Sequence, residues 1–361
     1  MYTMKINREG IIMKPQSKRI SMQDIADRLQ ISKNAVSLAL NGKAGVSDET
    51  RNLVITLAQK LNYNNMGVEL HPPSSSKNIL VFIPDYIRDD AFFYNDIYWA
   101  IEQRASQKGY NAVMAVITNE MQETQTLPPV YSEMDFSGFL LIGVLKESYV
   151  RYLLGLPLTI LSVDHSYYGI DIPAVGTANL AGSYRITQKV VGYNHTEIGF
   201  VGSSDMTSSI YERWCGFQQA LTEAKLPIHP EYNINDDSPL SVLLSDPVDI
   251  LQRLRQFPKM PTAFVCGGDR IAIAVTDALK QLGYLVPQQI SVVGFDDIEL
   301  GNYVEPKLTT MHVKRKEMGI LAVDLLLKAC AGKRIASLSF LEPEYICRNS
   351  LAWAPTTQQT P

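Results

Sequence analysis

Between Ser21 and Tyr63 apolar residues recur three and four positions apart in three bursts, each opened by a serine. Ser21, with Asp24 three residues on, predicts a capping-box start for a helix that turns Ile25, Ala26 and Leu29 inward. After a turn at Gln30 and Ile31, Ser32 reads as the N-cap of a second helix. Its pattern sends Ala35, Val36, Ala39 and Leu40 inward and Lys33, Asn34, Ser37 and Asn41 outward; Gly42 and Gly45 break it. A third helix starts at Ser47 with Asp48 and Glu49 in its first turn, where the helix dipole favours acids, and carries an apolar stripe of Leu53, Val54, Leu57, Ala58 and Leu61. Two helices on a tight turn, buttressed by a third, predict a helix-turn-helix.

The period then changes. Residues 67–77 hold Pro72-Pro73 and Ser74-Ser75-Ser76 and little that could form a core, which predicts a linker. Beyond it an apolar strand from Ile79 to Ile83 is followed by an amphipathic helix over about Asn95 to Lys108, then Gly109 and a strand from Ala112 to Ile117. The alternation restarts near Glu197 to Gly202, continues with a helix over about Tyr211 to Lys225, and adds strands near Ala263 to Cys266 and Ile290 to Gly294. Strands alternating with helices predict parallel sheets covered on both faces. Two such doubly wound halves imply two lobes, with a ligand cleft where the strands' carboxyl ends meet.

Composition narrows the function. With 361 residues, 46% hydrophobic and 19% charged, the chain has enough apolar content for a proper core and is not a disordered protein. Its apolar runs, Ile79 to Ile83 and Phe139 to Leu145, fall far short of the ~20 residues that span a bilayer. Ile11 to Met13 is too short for a signal peptide, so a cytoplasmic protein without a membrane partner is expected. Cys215, Cys266, Cys330 and Cys347 lack metal-ligand or disulfide spacing and read as buried free thiols; no metal and no cofactor is expected. The formal charge of −4 conceals an asymmetry: residues 1–64 hold ten Lys and Arg against five Asp and Glu, the remainder 23 against 32. A basic head on an acidic body points to nucleic acid at the head alone.

The stretch SMQDIADRLQISKNAVSLALNGKAGVSDETR and the LNY at Leu61 to Tyr63 resemble the DNA-binding headpiece of the lactose-repressor/galactose-repressor (LacI/GalR) family of bacterial transcription regulators. SVVGFDD (Ser291 to Asp297), LTTMHVKRKEMG (Leu308 to Gly319), RWCGF (Arg213 to Phe217) and VGTANLAG (Val175 to Gly182) resemble that family's regulatory core in the same order. The resemblance implies an all-α helix-turn-helix headpiece over 21–65 and a hinge or linker over 66–77. A two-lobed, periplasmic-binding-protein-like α/β core follows over 78–350. The N-lobe is expected over about 78–175 and 312–335, and the C-lobe over about 176–311 and 336–350. Residues 1–20 are expected to be a disordered extension and 351–361 a tail.

A recognition helix enters the major groove by its N-terminal end. The resemblance places Lys33, Asn34 and Leu38 where family members read bases, and Ser32, Ala35, Ser37 and Asn41 where they meet backbone or adjacent bases. Leu38 replaces the founding member's arginine, so a thymine methyl is the expected contact there. Family members wedge a hinge-helix leucine into the minor groove; Pro72 stands at that place, leaving Leu70 as the nearby wedge and implying a shortened hinge helix and a weaker bend.

For the effector the resemblance implies Arg213 and Asp296, whose paired heteroatoms suit adjacent hydroxyls. Asp164 corresponds to a third ligand, although a count from Pro157 reaches Ser162 instead. Gly268-Asp269 stands for the family's asparagine-aspartate, and Phe92, Phe93 and Tyr94 fall where the family places aromatics. The expected function is a repressor on a near-palindromic operator, a homodimer governed by a small effector of sugar or sugar-derivative class; the expected partners are operator DNA and that effector. The alternatives are a nucleobase or phosphoprotein corepressor on the same fold, or a sugar-binding transport protein. Asp296-Asp297, neighbours on a strand end, point to opposite sides and make a poor acid-base pair, so no enzyme is expected.

Overall fold

The computed structural model describes the chain except residues 1, 4–5, 8–9, 12–13, 16–20, 41–44, 61–75, 89–92, 204–206, 236–246 and 357–361. Asn41, Leu70, Pro72, Pro73 and Phe92 therefore lie outside the described residues. The chain divides into two compact units, residues 1–74 and 75–361.

In the first unit, α1 (Met22–Leu29), α2 (Lys33–Leu40) and α3 (Asp48–Lys60) form the expected trio. Ser21 makes a full capping box: its Oγ accepts from Asp24 N–H, and the Asp24 carboxylate accepts from Ser21 N–H at 2.7 Å. Gln30 closes α1 in the left-handed region. Ser32 Oγ accepts from Ala35 N–H at 3.0 Å, and Ser47 Oγ from Thr50 N–H at 3.2 Å, which supplies both later caps. Ile25, Ala26, Val36, Ala39, Leu40, Val54 and Ala58 make one small core. Leu53, assigned by its spacing to the apolar stripe, is exposed instead, because Val54 and Ala58 already fill the contact with α1 and α2. Within residues 1–20, read as disordered, Tyr2–Thr3 pairs with Lys14–Pro15 and Ile6–Asn7 with Gly10–Ile11, both antiparallel.

The second unit holds a six-stranded sheet, a three-stranded sheet and a two-stranded antiparallel pair. The N-lobe strands are β1 (Asn78–Pro84), β2 (Asn111–Ile117), β3 (Gly138–Ile142), β4 (Thr159–Val163) and β5 (Ala174–Thr177). Helices α4 (Tyr94–Gln107) and α5 (Glu147–Leu153) cover them. The C-lobe has α6 (Asn179–Gly192), β6 (Ile198–Val201), α7 (Ser208–Glu223), α8 (Pro247–Arg255), β7 (Ala263–Cys266), α9 (Asp269–Gln281), β8 (Ser291–Val293) and β9 (Thr310–His312). The chain then returns to the N-lobe as α10 (Arg315–Cys330), which packs on α4, and ends in β10 (Leu338–Leu341) and β11 (Glu344–Ile346).

The N-lobe order is β10-β5-β4-β3-β1-β2, all parallel. In the C-lobe β6, β7 and β8 run parallel, Val293 bridges to Thr309, and β9 pairs antiparallel with β11. Strands β3, β6 and β7 are wholly buried, as parallel strands between helices must be, while the edge strands β2 and β10 are partly exposed. One boundary changes: 338–341, placed in the C-lobe by the sequence, adds an edge strand to the N-lobe sheet through β5. Of the last two strands only β11 joins the C-lobe, by pairing with β9, so the final crossing between lobes falls after residue 341 and not near residue 336. Of the cysteines, Cys266 is buried, Cys215 and Cys330 are partly buried, and Cys347 is exposed, contrary to expectation.

Candidate functional site

On the first unit, α2 presents a graded face. Lys33 and Asn34 are exposed at its N-terminal end, beside exposed Ser32, and Ala35, Ser37 and Leu38 are half-buried around it. The Arg51 guanidinium of α3 donates to the Leu38 and Ala39 carbonyls, each at 3.3 Å, closing the opposite end of α2. The end that carries the short polar side chains is thus the open one. Such an end can enter a major groove.

In the second unit a cavity of about 110 Å³ lies between the lobes. The N-lobe contributes Phe93 and Tyr94 at the start of α4, Val144, and Asp164 just past β4. The C-lobe contributes Thr207, Ser209, Ile210 and Arg213 from α7 and its cap, Gly267, Gly268, Arg270 and Ile271 around the start of α9, and Asp296 and Ile298.

Arg213 is almost entirely buried and heavily engaged. It forms a 3.0 Å ion pair with Asp296 Oδ1, donates to the Gly267 carbonyl at 2.6 Å and to Asn179 Oδ1 at 2.9 Å, and stacks on Phe295 with its carbon 3.8 Å from the ring centroid. The pair lies within the C-lobe and does not bridge the lobes. Gly216, which completes the Arg-x-x-Gly spacing, serves the same placement: a Cβ there would lie 2.2 Å from the Leu180 carbonyl oxygen, so α7 crosses α6 this closely only with glycine. Gly268 acts similarly, since a Cβ would lie 3.0 Å from Asp296 Oδ2.

Asp164 faces this group from the other lobe. Its carboxylate accepts from the Tyr94 hydroxyl at 3.3 Å. Burial raises its pKa to about 7, opposed by nearby Arg213 and reinforced by Asp296. Ser162, the alternative by counting, is turned into the N-lobe, where its hydroxyl donates to the His165 carbonyl at 2.7 Å.

Asp269 is not brought to the cavity. It is fully buried, and its carboxylate accepts from Thr310 Oγ1 at 2.6 Å and Ile298 N–H at 2.9 Å. Burial holds its pKa well above the usual carboxylate range. It staples the chain after β8 to β9 and is not placed to meet an effector. Asp297 also points away from the cavity, towards His312 at 2.9 Å and Arg348 at 2.6 Å.

Two family models match the chain: "Bacterial regulatory proteins, lacI family" over residues 21–65, and "Periplasmic binding protein-like domain" over 187–351. Among curated relatives, the HTH-type transcriptional repressor CytR of Escherichia coli K12 is 28% identical over 95% of this chain and 99% of its own length. The ribose operon repressor of Haemophilus influenzae is 26% identical over 92% and 98%. The chain carries a lacI-family helix-turn-helix domain followed by a periplasmic-binding-protein-like domain. A structure of the lac repressor dimer bound to operator and the anti-inducer ONPF, 23% identical, covers 93% of this chain and all of its own, with a TM-score of 0.67. Headpiece and two-lobed core share that fold, and the chain is a DNA-binding transcriptional regulator.

Its cleft includes residues that the sequence reading missed. Thr207 caps α7 by accepting from Ile210 N–H, and the following Ser209 donates to the Asp164 carbonyl at 3.2 Å across the lobes. Beside it, Ser208 Oγ accepts from Ser166 N–H, which leaves its own proton for His165 Nδ1 at 3.0 Å; burial lowers the His165 pKa to about 4 and keeps the ring neutral. Tyr168 donates to Glu212 at 2.8 Å. A polar cap three residues before Ile210 was legible; that these serines meet the loop after β4 was not, since the partner lies over forty positions away.

Proposed function

We propose that this regulator represses transcription in the cytoplasm as a homodimer on a near-palindromic operator, and that a neutral, hydroxyl-rich small molecule of carbohydrate class controls it from the inter-lobe cleft. Lys33, Asn34 and Leu38 read bases, and Ser32, Ala35, Ser37 and Asn41 hold the backbone. Two recognition helices related by a two-fold axis read two half-sites.

The observation that carries the effector reading is the convergence of carboxylates from opposite lobes, Asp164 and Asp296, on one cavity with Arg213. Carboxylates accept from hydroxyl pairs, while the Arg213 charge is already matched by Asp296 and its donors by Gly267 and Asn179. Such a site favours hydroxyl donors over phosphates. Phe93 and Ile298 supply the apolar walls that a sugar ring's carbon face needs. Asp164, Arg213, Asp296, Phe93 and Tyr94 are the effector residues in this reading.

A thermal-shift screen of the full chain against mono- and disaccharides, sugar phosphates, nucleosides and purines tests it. A ligand at 100 times its Kd stabilises by about 2.7 kcal/mol. At least one neutral sugar should raise the Tm, and Asp164→Asn should remove that shift. A rise with purines or sugar phosphates alone would sink the carbohydrate reading. Operator gel shifts with the same compound then separate induction, where binding weakens, from corepression, where it strengthens.

A further inference from the structure

Arg315 is the first residue of α10, where the chain re-enters the N-lobe, and its side chain is about 10% exposed. Its Nε donates to Asp96 Oδ2 on α4 at 3.0 Å. Nη1 donates to the Asp296 carbonyl at 2.5 Å and Nη2 to the Asp297 carbonyl at 3.3 Å. The guanidinium lies 5.6 Å from the Phe93 ring centroid. One planar fork therefore links a helix of one lobe to the backbone of the turn that presents Asp296 in the other.

That turn is strained. Asp296 has φ +115° and Asp297 φ +54°, a region that non-glycine residues occupy at a cost of about 1–3 kcal/mol each and keep only where surrounding contacts over-determine it. From the C-lobe side the contacts are Asp296 N–H to the Met311 carbonyl at 2.9 Å, Val313 N–H to the Asp296 carbonyl at 3.4 Å, and His312 and Arg348 on the Asp297 carboxylate. Arg315 holds the two carbonyls.

We infer that Arg315 is a positioning residue for the effector cleft: it holds the strained Asp296-Asp297 turn so that the Asp296 carboxylate meets Arg213, and it joins that turn to the first turn of α4. The same turn of α4 supplies Tyr94, which reaches Asp164. Both cleft carboxylates are thereby tied to one helical turn, Asp164 through Tyr94 and Asp296 through Arg315 and Asp96. A lysine could not reproduce this, since one ammonium cannot span three acceptors in a plane.

The inference rests on the cleft being the effector site, yet its test needs no ligand, so a silent thermal-shift screen would sink the effector reading without deciding this one. Amide hydrogen exchange of the full chain is compared for wild type, Arg315→Met, Arg315→Lys and Asp96→Asn, alongside urea midpoints. Arg315→Met should speed exchange at Asp296 and Val313 at least tenfold, and Arg315→Lys should fall between it and wild type. Asp96→Asn, a change in the other lobe, should speed the same two amides several-fold with the urea midpoint unchanged. Should Arg315→Met fail to fold, the other two variants decide. Asp296 and Val313 exchange unaltered by Asp96→Asn, or acceleration spread evenly over both sheets, overturns the proposal.

Discussion

At the scale of single residues, the chemistry of the cleft comes from ionisable groups held out of water. Asp164, with its pKa at about 7, holds a proton in the folded chain that the unfolded chain, with an aspartate pKa near 3.9, has released. The stability it contributes is therefore fully present below about pH 4 and is lost as pH rises through 7. Asp164→Asn should flatten that decline. Urea melts of wild type and variant at pH 5 and pH 8 should show the variant gaining on the order of 1–3 kcal/mol relative to wild type between the two; parallel pH profiles would contradict it. Arg213, in contrast, is buried with a partner. Asp296→Ala strands the guanidinium and should cost about 3 kcal/mol in the same urea assay, as removing one half of a buried ion pair does. Asp269→Asn tests the correction made to that residue: it should lower stability without the selective loss of effector binding that Asp164→Asn causes.

At the scale of elements, helix ends decide most of what the molecule presents. The N-terminal end of α2 is held by Ser32 and its C-terminal end by Arg51, so the residues between are displayed on a short helix that would be marginal by itself. Ser32→Ala should cost about 1 kcal/mol, seen as roughly fivefold faster amide exchange along α2 in the full chain. Unchanged exchange would mean that tertiary packing alone holds the helix. Caps and apolar spacing are local signals, which is why α1, α2 and the ends of α7 could be read within a few residues. Leu53 could not, because its spacing fits the stripe and only the neighbouring Val54 and Ala58 contacts show the core already complete.

At the scale of the whole molecule, the asymmetry of charge separates two kinds of salt dependence. Duplex affinity of the full chain should fall about 10³-fold or more between 50 and 200 mM salt if six or more phosphates are contacted. Binding of a neutral effector to residues 76–361 should barely respond, and comparable slopes for both would contradict the division of labour. The sequence by itself determined the headpiece, the strand-helix alternation and the lobes, since caps, periodicity and the family motifs all lie in short windows. Tertiary structure alone decided that Asp269 is stapled inward by Thr310, that 338–341 returns to the N-lobe sheet, and that Arg315 reaches Asp96 on α4. Each depends on a partner tens to hundreds of residues away, and local pattern carries no information about which distant group will share a buried hydrogen bond.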